Sequence, residues 1–98
     1  MTTPPGFEWD AAMSARCEEE YGFSFLDLVH VFEDEEWDYL RLGPLDHEGE
    51  PRYVAIGRLD WGTIVAVVYT MRNGRRRLIW VRPARRNERA AFAAQNGG

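Results

Sequence analysis

The stretch from Thr63 to Val81 reads TIVAVVYTMRNGRRRLIWV, two apolar runs separated by Asn73-Gly74. Both runs are rich in β-branched and aromatic residues, which suit a pleated strand. The Asn-Gly pair favours a tight reversal between antiparallel strands, because both turn positions need a positive φ. The sequence therefore predicts a β-hairpin whose strands cover Thr63–Met71 and Arg77–Val81.

Two more strands are predicted upstream of this hairpin. Arg52–Arg58 has a similar composition and leads into a turn at Asp60-Trp61-Gly62. Trp37–Leu42 alternates weakly between apolar and polar residues, as an edge strand does, and Gly43-Pro44 is predicted to turn the chain after it. Four consecutive strands with short connections predict an antiparallel sheet.

Helix signals flank these strands. Asp10 is a good N-cap for a helix over Ala11–Tyr21, and Gly22 is a good residue to end it. Ser24 opens a second helix with an apolar stripe at helical spacing, and Ala84–Ala94 reads as a closing helix. With a short strand at residues 7–9, the expected fold is one α+β domain over residues 1–98, frayed at about 1–5 and 95–98. Its two N-terminal helices and one C-terminal helix are expected on one face of the sheet.

Charge is divided between the two parts of the chain. Fifteen of the 16 acidic residues precede residue 61, whereas eight of the 12 basic residues follow it, and every basic residue is Arg. A basic surface attracts phosphate, while an acidic surface repels or imitates it. The charge pattern thus indicates either a nucleic-acid-binding face or an acidic face that occupies a basic partner.

Several classes are disfavoured by composition. The single cysteine, Cys17, cannot form an internal disulfide, and two His with no Cys/His cluster make a metal site improbable, so we expect no metal and no cofactor. The longest apolar run, Ile64–Tyr69, is too short to cross a bilayer, and the first residues lack the pattern of a signal peptide. We therefore expect a cytoplasmic protein without membrane contact.

Polar residues of two segments are candidates for chemistry on RNA. His47 and Glu50 are candidates for acid–base work with Arg52 on phosphate, or else belong to a solvated hairpin loop. The Arg residues around the last strand either cradle an RNA backbone, form a solvated basic face or dock an acidic partner. Tyr69 either stacks on a base or is a half-buried strand residue.

An acidic segment follows the second helix. Residues 33–38 read EDEEWD and are either a solvated loop or a surface resembling a phosphate backbone. In the second case Trp37 is expected to be an exposed anchor for a partner. His30 lies among the core positions of the second helix and is expected to be structural, and Cys17 is expected to be a small helix residue without a reactive thiol.

Segments spread along the chain carry a family resemblance: FEWD at 7–10, GFSF at 22–25, VF at 31–32, DHEGEPRY at 46–53, AIG at 55–57 and VVYT at 67–70, followed by Arg82 and Glu88-Arg89. Their order and spacing over about residues 6–92 resemble the BrnT family. The resemblance implies a ribonuclease toxin of a type II toxin–antitoxin system, with a RelE-like fold, metal-independent RNA cleavage and an antitoxin partner.

The chain departs from the family pattern in its first helix and at its last one. Positions where BrnT proteins usually carry Lys, Asn and a Lys-His pair are Met13, Cys17, Glu20 and Tyr21 here, and Arg85 replaces the usual capping Thr. Metal-free RNA cleavage needs a proton acceptor and cations for the phosphorane, so other residues must supply these roles.

Three functional hypotheses follow, the first a ribonuclease toxin. Its catalytic residues are expected to be His47, Glu50, Arg52, Arg77 and Arg82, and its RNA-binding residues Tyr69, Arg75, Arg76, Arg85 and Arg86. The second is a catalytically silent relative of the anti-CRISPR or anti-restriction type, which binds a basic nucleic-acid-handling protein. Its contact residues are expected to be Glu18, Glu19, Glu20, Glu33, Asp34, Glu35, Glu36, Trp37 and Asp38. The third is a subunit that only partners an antitoxin in autoregulation.

Overall fold

The computed structural model describes residues 3–97. Within that range the strands are β1 (Phe7–Trp9), β2 (Leu40–His47), β3 (Glu50–Arg58), β4 (Ile64–Arg72) and β5 (Arg75–Pro83). The helices are α1 (Ala11–Tyr21), α2 (Phe25–Glu33) and α3 (Arg86–Gln95). The predicted α+β class and the predicted order of elements are confirmed.

The sheet has the strand order β1-β5-β4-β3-β2. The hairpin pairings are antiparallel, but β1 runs parallel to β5, with Phe7 beside Arg76 and Trp9 beside Leu78. The sheet is therefore mixed, and the prediction of an antiparallel sheet is wrong at this edge. A strand of three residues carries no local signal for its direction, which is set by a partner far along the chain.

Helices cover both faces of the sheet. On the first face, α1 and α2 enclose the larger core, to which Phe25, Ala55 and Val67 belong. On the second face, α3 covers a smaller core built around Ile56 and Phe92. The prediction that all helices share one face is therefore wrong. Consecutive residues of a strand point to opposite faces, so the apolar runs in β3 and β4 supply buried side chains to both.

Strand β2 continues through the position where a turn was predicted. Its register with β3 shifts between Leu42 and Leu45, so Gly43-Pro44 forms an irregularity within the strand. Gly43 has φ +104, and a Cβ there would lie 2.8 Å from the Arg52 carbonyl oxygen. The reversal comes instead at Glu48-Gly49, where both residues have positive φ, as a two-residue hairpin requires.

The helix ends largely follow the predicted caps. Asp10 Oδ1 accepts a hydrogen bond from the Ala12 amide at 2.8 Å, and Gly22 ends α1 with φ +82. The Ser24 amide donates to Asp27 Oδ2 at 2.9 Å. Helix α3 starts later than predicted, because the Ala84 amide donates to the Ile64 carbonyl oxygen and still belongs to the sheet. Among residues 3–97, no helix is long and apolar enough to cross a membrane.

Candidate functional site

One end of the second face lies beyond α3. Side chains of directly paired antiparallel residues share a face. His47 pairs with Glu50, Leu45 with Arg52, and Thr70 with Arg77. A cavity of about 270 Å³ at this end is lined by Asp10, Met13, Glu50, Arg52, Arg72, Arg77, Leu78 and Ile79. The fold thus brings three of the five residues predicted to be catalytic, Glu50, Arg52 and Arg77, into one cavity.

Three guanidinium groups dominate this cavity. Arg52, Arg72 and Arg77 lie on β3, β4 and β5, three neighbouring strands. Of these three arginines, only Arg72 has an ion-pair partner within the described range, and that partner is Glu50. Arg52 Nε is buried without a hydrogen-bond partner. A planar guanidinium presents paired donors that match the oxygens of a phosphate. The arrangement is chemically suited to hold a phosphodiester.

Carboxylates also line the cavity. Glu50 accepts a hydrogen bond from Arg72 at 2.8 Å, and this bond lowers the pKa of its carboxyl group. A carboxylate with a low pKa is a weak proton acceptor. His47 is exposed at the end of β2, on the same face as its partner Glu50. Proton transfer by Glu50 is thus less favoured than the sequence suggested, while His47 is accessible to a ligand.

Two acidic residues near these arginines were not assigned to the site from the sequence. Asp10 lines the cavity, although its position in the sequence indicated only a helix cap. Glu8 pairs with Arg77 in the parallel register, and its Oε1 is buried without a hydrogen-bond partner. No local pattern could have found them, because the pairing of β1 with β5 brings them here.

Arg82 is engaged elsewhere on the same face. Its guanidinium donates to both oxygens of Glu88 in α3, at 2.7 and 2.8 Å. The hydrogen bond from Arg82 and that from the Arg85 amide lower the pKa of Glu88 to about 2, and the same pair raises the pKa of Arg82. Arg82 does not line the cavity of the three arginines, and its geometry favours a structural role over contact with RNA.

Arg76 and Tyr69 belong to the first face. The guanidinium carbon of Arg76 lies 4.3 to 5.7 Å from the centroids of four aromatic rings, those of Phe7, Phe32, Tyr39 and Tyr69. Tyr69 is only 2% exposed, and burial raises the pKa of its hydroxyl group. Tyr69 is thus buried and Arg76 is engaged by aromatic rings, so neither side chain lines the cavity of the three arginines.

The remaining predicted RNA-binding residues are on the surface. Arg75 is exposed in the β4–β5 turn region, where it pairs with Arg72, while Arg85 and Arg86 are exposed at the start of α3. Arg75 thus extends the basic surface of the cavity, and the two α3 residues lie apart from its lining.

Part of the acidic segment, Asp34 and Trp37, packs against the rest of the protein. Burial acts to raise the pKa of Asp34. Hydrogen bonds from the Glu36 and Trp37 amides and from Arg58 act in the opposite direction, and the pKa of Asp34 is lowered as a result. Trp37 stacks on Phe92 with ring centroids 5.6 Å apart, and the guanidinium carbon of Arg58 lies 5.0 Å from the centroid of the Trp37 ring. Trp37 is therefore a half-buried part of the α3 interface rather than an exposed anchor. Seven acidic candidates are exposed: Glu18, Glu19, Glu20, Glu33, Glu35, Glu36 and Asp38.

Two further predictions concern the helices. His30 is exposed and lies 3.4 Å from Asp60, so its expected place among the core residues of α2 is wrong. Cys17 is fully buried, and burial raises the pKa of its thiol to about 11. The prediction of a small helix residue without reactive character agrees with this environment.

A mixed sheet with helices on both faces and three arginines at one open end defines a small α+β protein with an arginine-lined cavity. A model of the family described as "Ribonuclease toxin, BrnT, of type II toxin-antitoxin system" matches residues 9–88, a range that includes all the lining residues of the cavity. The chain therefore belongs to the BrnT toxin family, as its resemblance predicted. Among curated proteins, no relative matches this chain. Membership of a toxin family implies an antitoxin partner.

Proposed function

We propose that this protein is an endoribonuclease toxin that cleaves RNA without a metal ion at the cavity of Arg52, Arg72 and Arg77. The observation that supports the proposal most is the convergence of three guanidinium groups from adjacent strands on one open cavity. A cognate antitoxin neutralises the toxin, and a fold similar to that of the RelE toxins is part of the same proposal.

The chemistry follows from what metal-free cleavage requires. The 2′-hydroxyl oxygen attacks the adjacent phosphorus, and the 5′-oxygen leaves, which gives a 2′,3′-cyclic phosphate and a 5′-hydroxyl end. Negative charge grows on the phosphorane oxygens, and preorganised cations stabilise it. Arg52 and Arg77 supply the positive charge that stabilises the phosphorane. Arg72 adds to this positive charge while it holds Glu50. His47 is exposed on the same face as Glu50, and in this proposal it is a second candidate for proton exchange with the reacting oxygens.

The proposal is tested by expression in a bacterial host and by cleavage of RNA in vitro. We expect induction to stop growth and to fragment cellular RNA. The purified protein should cleave a labelled mixed-sequence RNA in the presence of EDTA, and a requirement for added metal would contradict the metal-independent mechanism. The double variant Arg52→Ala/Arg77→Ala should lose both effects.

A matched control separates the loss of site cations from a general change in charge. Arg41 is exposed on β2, pairs with Ala55 of the first face and lies over the Tyr53 ring. Arg41→Ala removes an arginine from outside the cavity and should retain cleavage. Equal losses in both variants, or undiminished activity in a folded Arg52→Ala/Arg77→Ala protein, would rule out the assigned site.

One observation favours the acidic-binding alternative. Helix α1 ends with Glu18, Glu19 and Glu20, all exposed, although carboxylates at a helix C-terminus are unfavourable by roughly 0.3–1 kcal/mol each. Stability does not explain this triplet, whereas contact with a basic partner would. In that case the wild-type protein is non-toxic and captures a basic nucleic-acid-handling protein, and reversal of Glu19 and Glu20 to Arg abolishes the capture. Recovery of an antitoxin alone, unaffected by the reversal, would exclude this function.

A further inference from the structure

We propose that Asp10 is a catalytic residue of this site and accepts the proton of the attacking 2′-hydroxyl group. The inference rests on the proposed ribonuclease function and adds to it a proton acceptor that neither the sequence nor the family match assigns.

The carboxylate of Asp10 is held in place with one oxygen still available. Oδ1 accepts the Ala12 amide at 2.8 Å, which fixes the side chain against the first turn of α1. Asp10 is exposed to solvent and lines the same cavity as the three arginines. Oδ2 is engaged by no hydrogen bond in the part of the chain that the structure describes. An anchored carboxylate with one open oxygen is an oriented acceptor for a substrate proton.

Charge pairing distinguishes Asp10 from the other carboxylate of the cavity. Glu50 is bound to Arg72, and its pKa is lowered by that hydrogen bond. Asp10 takes part in none of the ion pairs found within residues 3–97. Glu8 is a weaker candidate because it is less exposed than Asp10 and one of its carboxylate oxygens, Oε1, is buried. Of these three carboxylates, Asp10 is the one that is exposed, lines the cavity and belongs to no ion pair within residues 3–97.

The step balances without any group beyond RNA and water. Asp10 Oδ2 takes the proton of the 2′-hydroxyl as the 2′-oxygen forms its bond to phosphorus. The bond from phosphorus to the 5′-oxygen breaks, and the leaving oxygen takes a proton from a water molecule in the open cavity. The resulting hydroxide then removes the proton from Asp10, which restores the carboxylate. Arg52 and Arg77 stabilise the negative charge of the phosphorane throughout the step.

Asp10→Asn is the decisive variant, because Asn and Asp cap helices about equally well but Asn cannot accept this proton. We expect Asp10→Asn to keep the thermal midpoint of the wild type while single-turnover cleavage of a labelled mixed-sequence RNA falls about 10²–10⁴-fold. Cleavage by this variant should rise tenfold per pH unit, as hydroxide replaces the lost acceptor. Asp10→Ala should lose cleavage and also lower the thermal midpoint by roughly 4–8 °C, because the cap is lost.

Glu8→Gln and Glu50→Gln are the comparators, and both should cleave faster than Asp10→Asn. If Asp10→Asn cleaves like the wild type while Arg52→Ala/Arg77→Ala does not, Asp10 is only a helix cap and the inference is overturned with the ribonuclease function intact. If Glu8→Gln or Glu50→Gln shows the larger loss, the proton acceptor is that residue instead. If the wild type itself cleaves no RNA, the proposed function fails and the role of Asp10 fails with it.

Discussion

Arg82 of β5 and Glu88 of α3 form a bidentate pair that joins the C-terminal helix to the sheet. The two hydrogen bonds measure 2.7 and 2.8 Å, and the Glu88 side chain is 9% exposed against 30% for Arg82. The same carboxylate accepts the Arg85 amide at 2.8 Å, at the start of α3. The Glu88 carboxylate therefore accepts hydrogen bonds both from the Arg82 guanidinium of the sheet and from the Arg85 amide at the start of the helix.

Removal of this carboxylate should destabilise the protein. Glu88→Ala leaves a partly buried guanidinium and a helix amide unpaired, so we expect the free energy of unfolding to fall by about 1–3 kcal/mol. Urea denaturation followed by circular dichroism measures it. Glu35→Ala, at an exposed position, is the control and should change stability by less than about 0.5 kcal/mol. Equal stability of both variants would show that the pair contributes nothing.

The same pair should make stability depend on pH in the acid range. The folded pKa of Glu88 is about 2, below the ordinary value of 4.5, so its contribution is present above pH 4.5 and is lost as pH falls toward 2. The stability difference between the wild type and Glu88→Gln should accordingly shrink over that range. Because the comparison is a difference, other acidic groups cancel from it. A difference that stays constant from pH 5 to pH 2.5 would contradict the assignment.

RNA affinity should depend on salt through the arginines of the cavity. Each phosphate contact with a single strand adds about 0.7 to the slope of log affinity against log salt concentration. Arg77→Ala should reduce that slope by about 0.7, whereas Arg41→Ala, on the other face, should leave it unchanged. Fluorescence anisotropy with a labelled RNA whose 2′-hydroxyls are methylated measures binding without cleavage. An unchanged slope in Arg77→Ala would remove that residue from the RNA contact.

Arg76 should matter for folding rather than for RNA. Four aromatic rings surround its guanidinium, and its terminal nitrogen donates to the Tyr39 hydroxyl at 3.2 Å. Arg76→Lys keeps the charge but loses the planar group that stacks on the rings, so we expect a loss of about 1–2 kcal/mol of stability. Cleavage per folded molecule should stay at the wild-type level. Strong loss of RNA binding in a folded Arg76→Lys protein would instead indicate that Arg76 contacts RNA, as the sequence predicted.

The thiol of Cys17 should react only after unfolding. It is fully buried with a pKa of about 11, so in the folded state a reagent cannot reach the sulfur and the reactive thiolate form is scarce. We expect alkylation by iodoacetamide at pH 8 to be negligible in buffer and rapid in 6 M guanidinium chloride, as followed by mass spectrometry. Rapid labelling of the folded protein would show that α1 opens readily.

Local features of this fold were predictable because they depend on neighbouring residues. The Asn73-Gly74 hairpin, the Asp10 cap and the end of α1 at Gly22 all appear where the sequence indicated. Each rests on backbone φ preference or on a hydrogen bond within a few residues. Such preferences hold whatever the rest of the chain does.

The candidate site was only partly predictable, and the three adjacent arginines of β5 show why. Strand alternation places Arg75 and Arg77 on one face and Arg76 on the other, but the sequence does not say which face is enclosed. In the structure Arg77 lines the open cavity while Arg76 lies among aromatic rings of the first face. The face on which each side chain lies thus places residues of the same type and charge in different environments.

The sequence by itself determined the element types, most helix caps, the two-residue hairpin at Asn73-Gly74 and the division of charge between the halves of the chain. Only the tertiary structure decided that β1 runs parallel to β5, that α3 covers the second face, and that Arg82 is held by Glu88. The same long-range pairing brings Asp10 to the arginines of the cavity. The physical reason is that local preference acts over a few residues, whereas the choice of face, strand partner and ion pair depends on which distant surfaces are buried together.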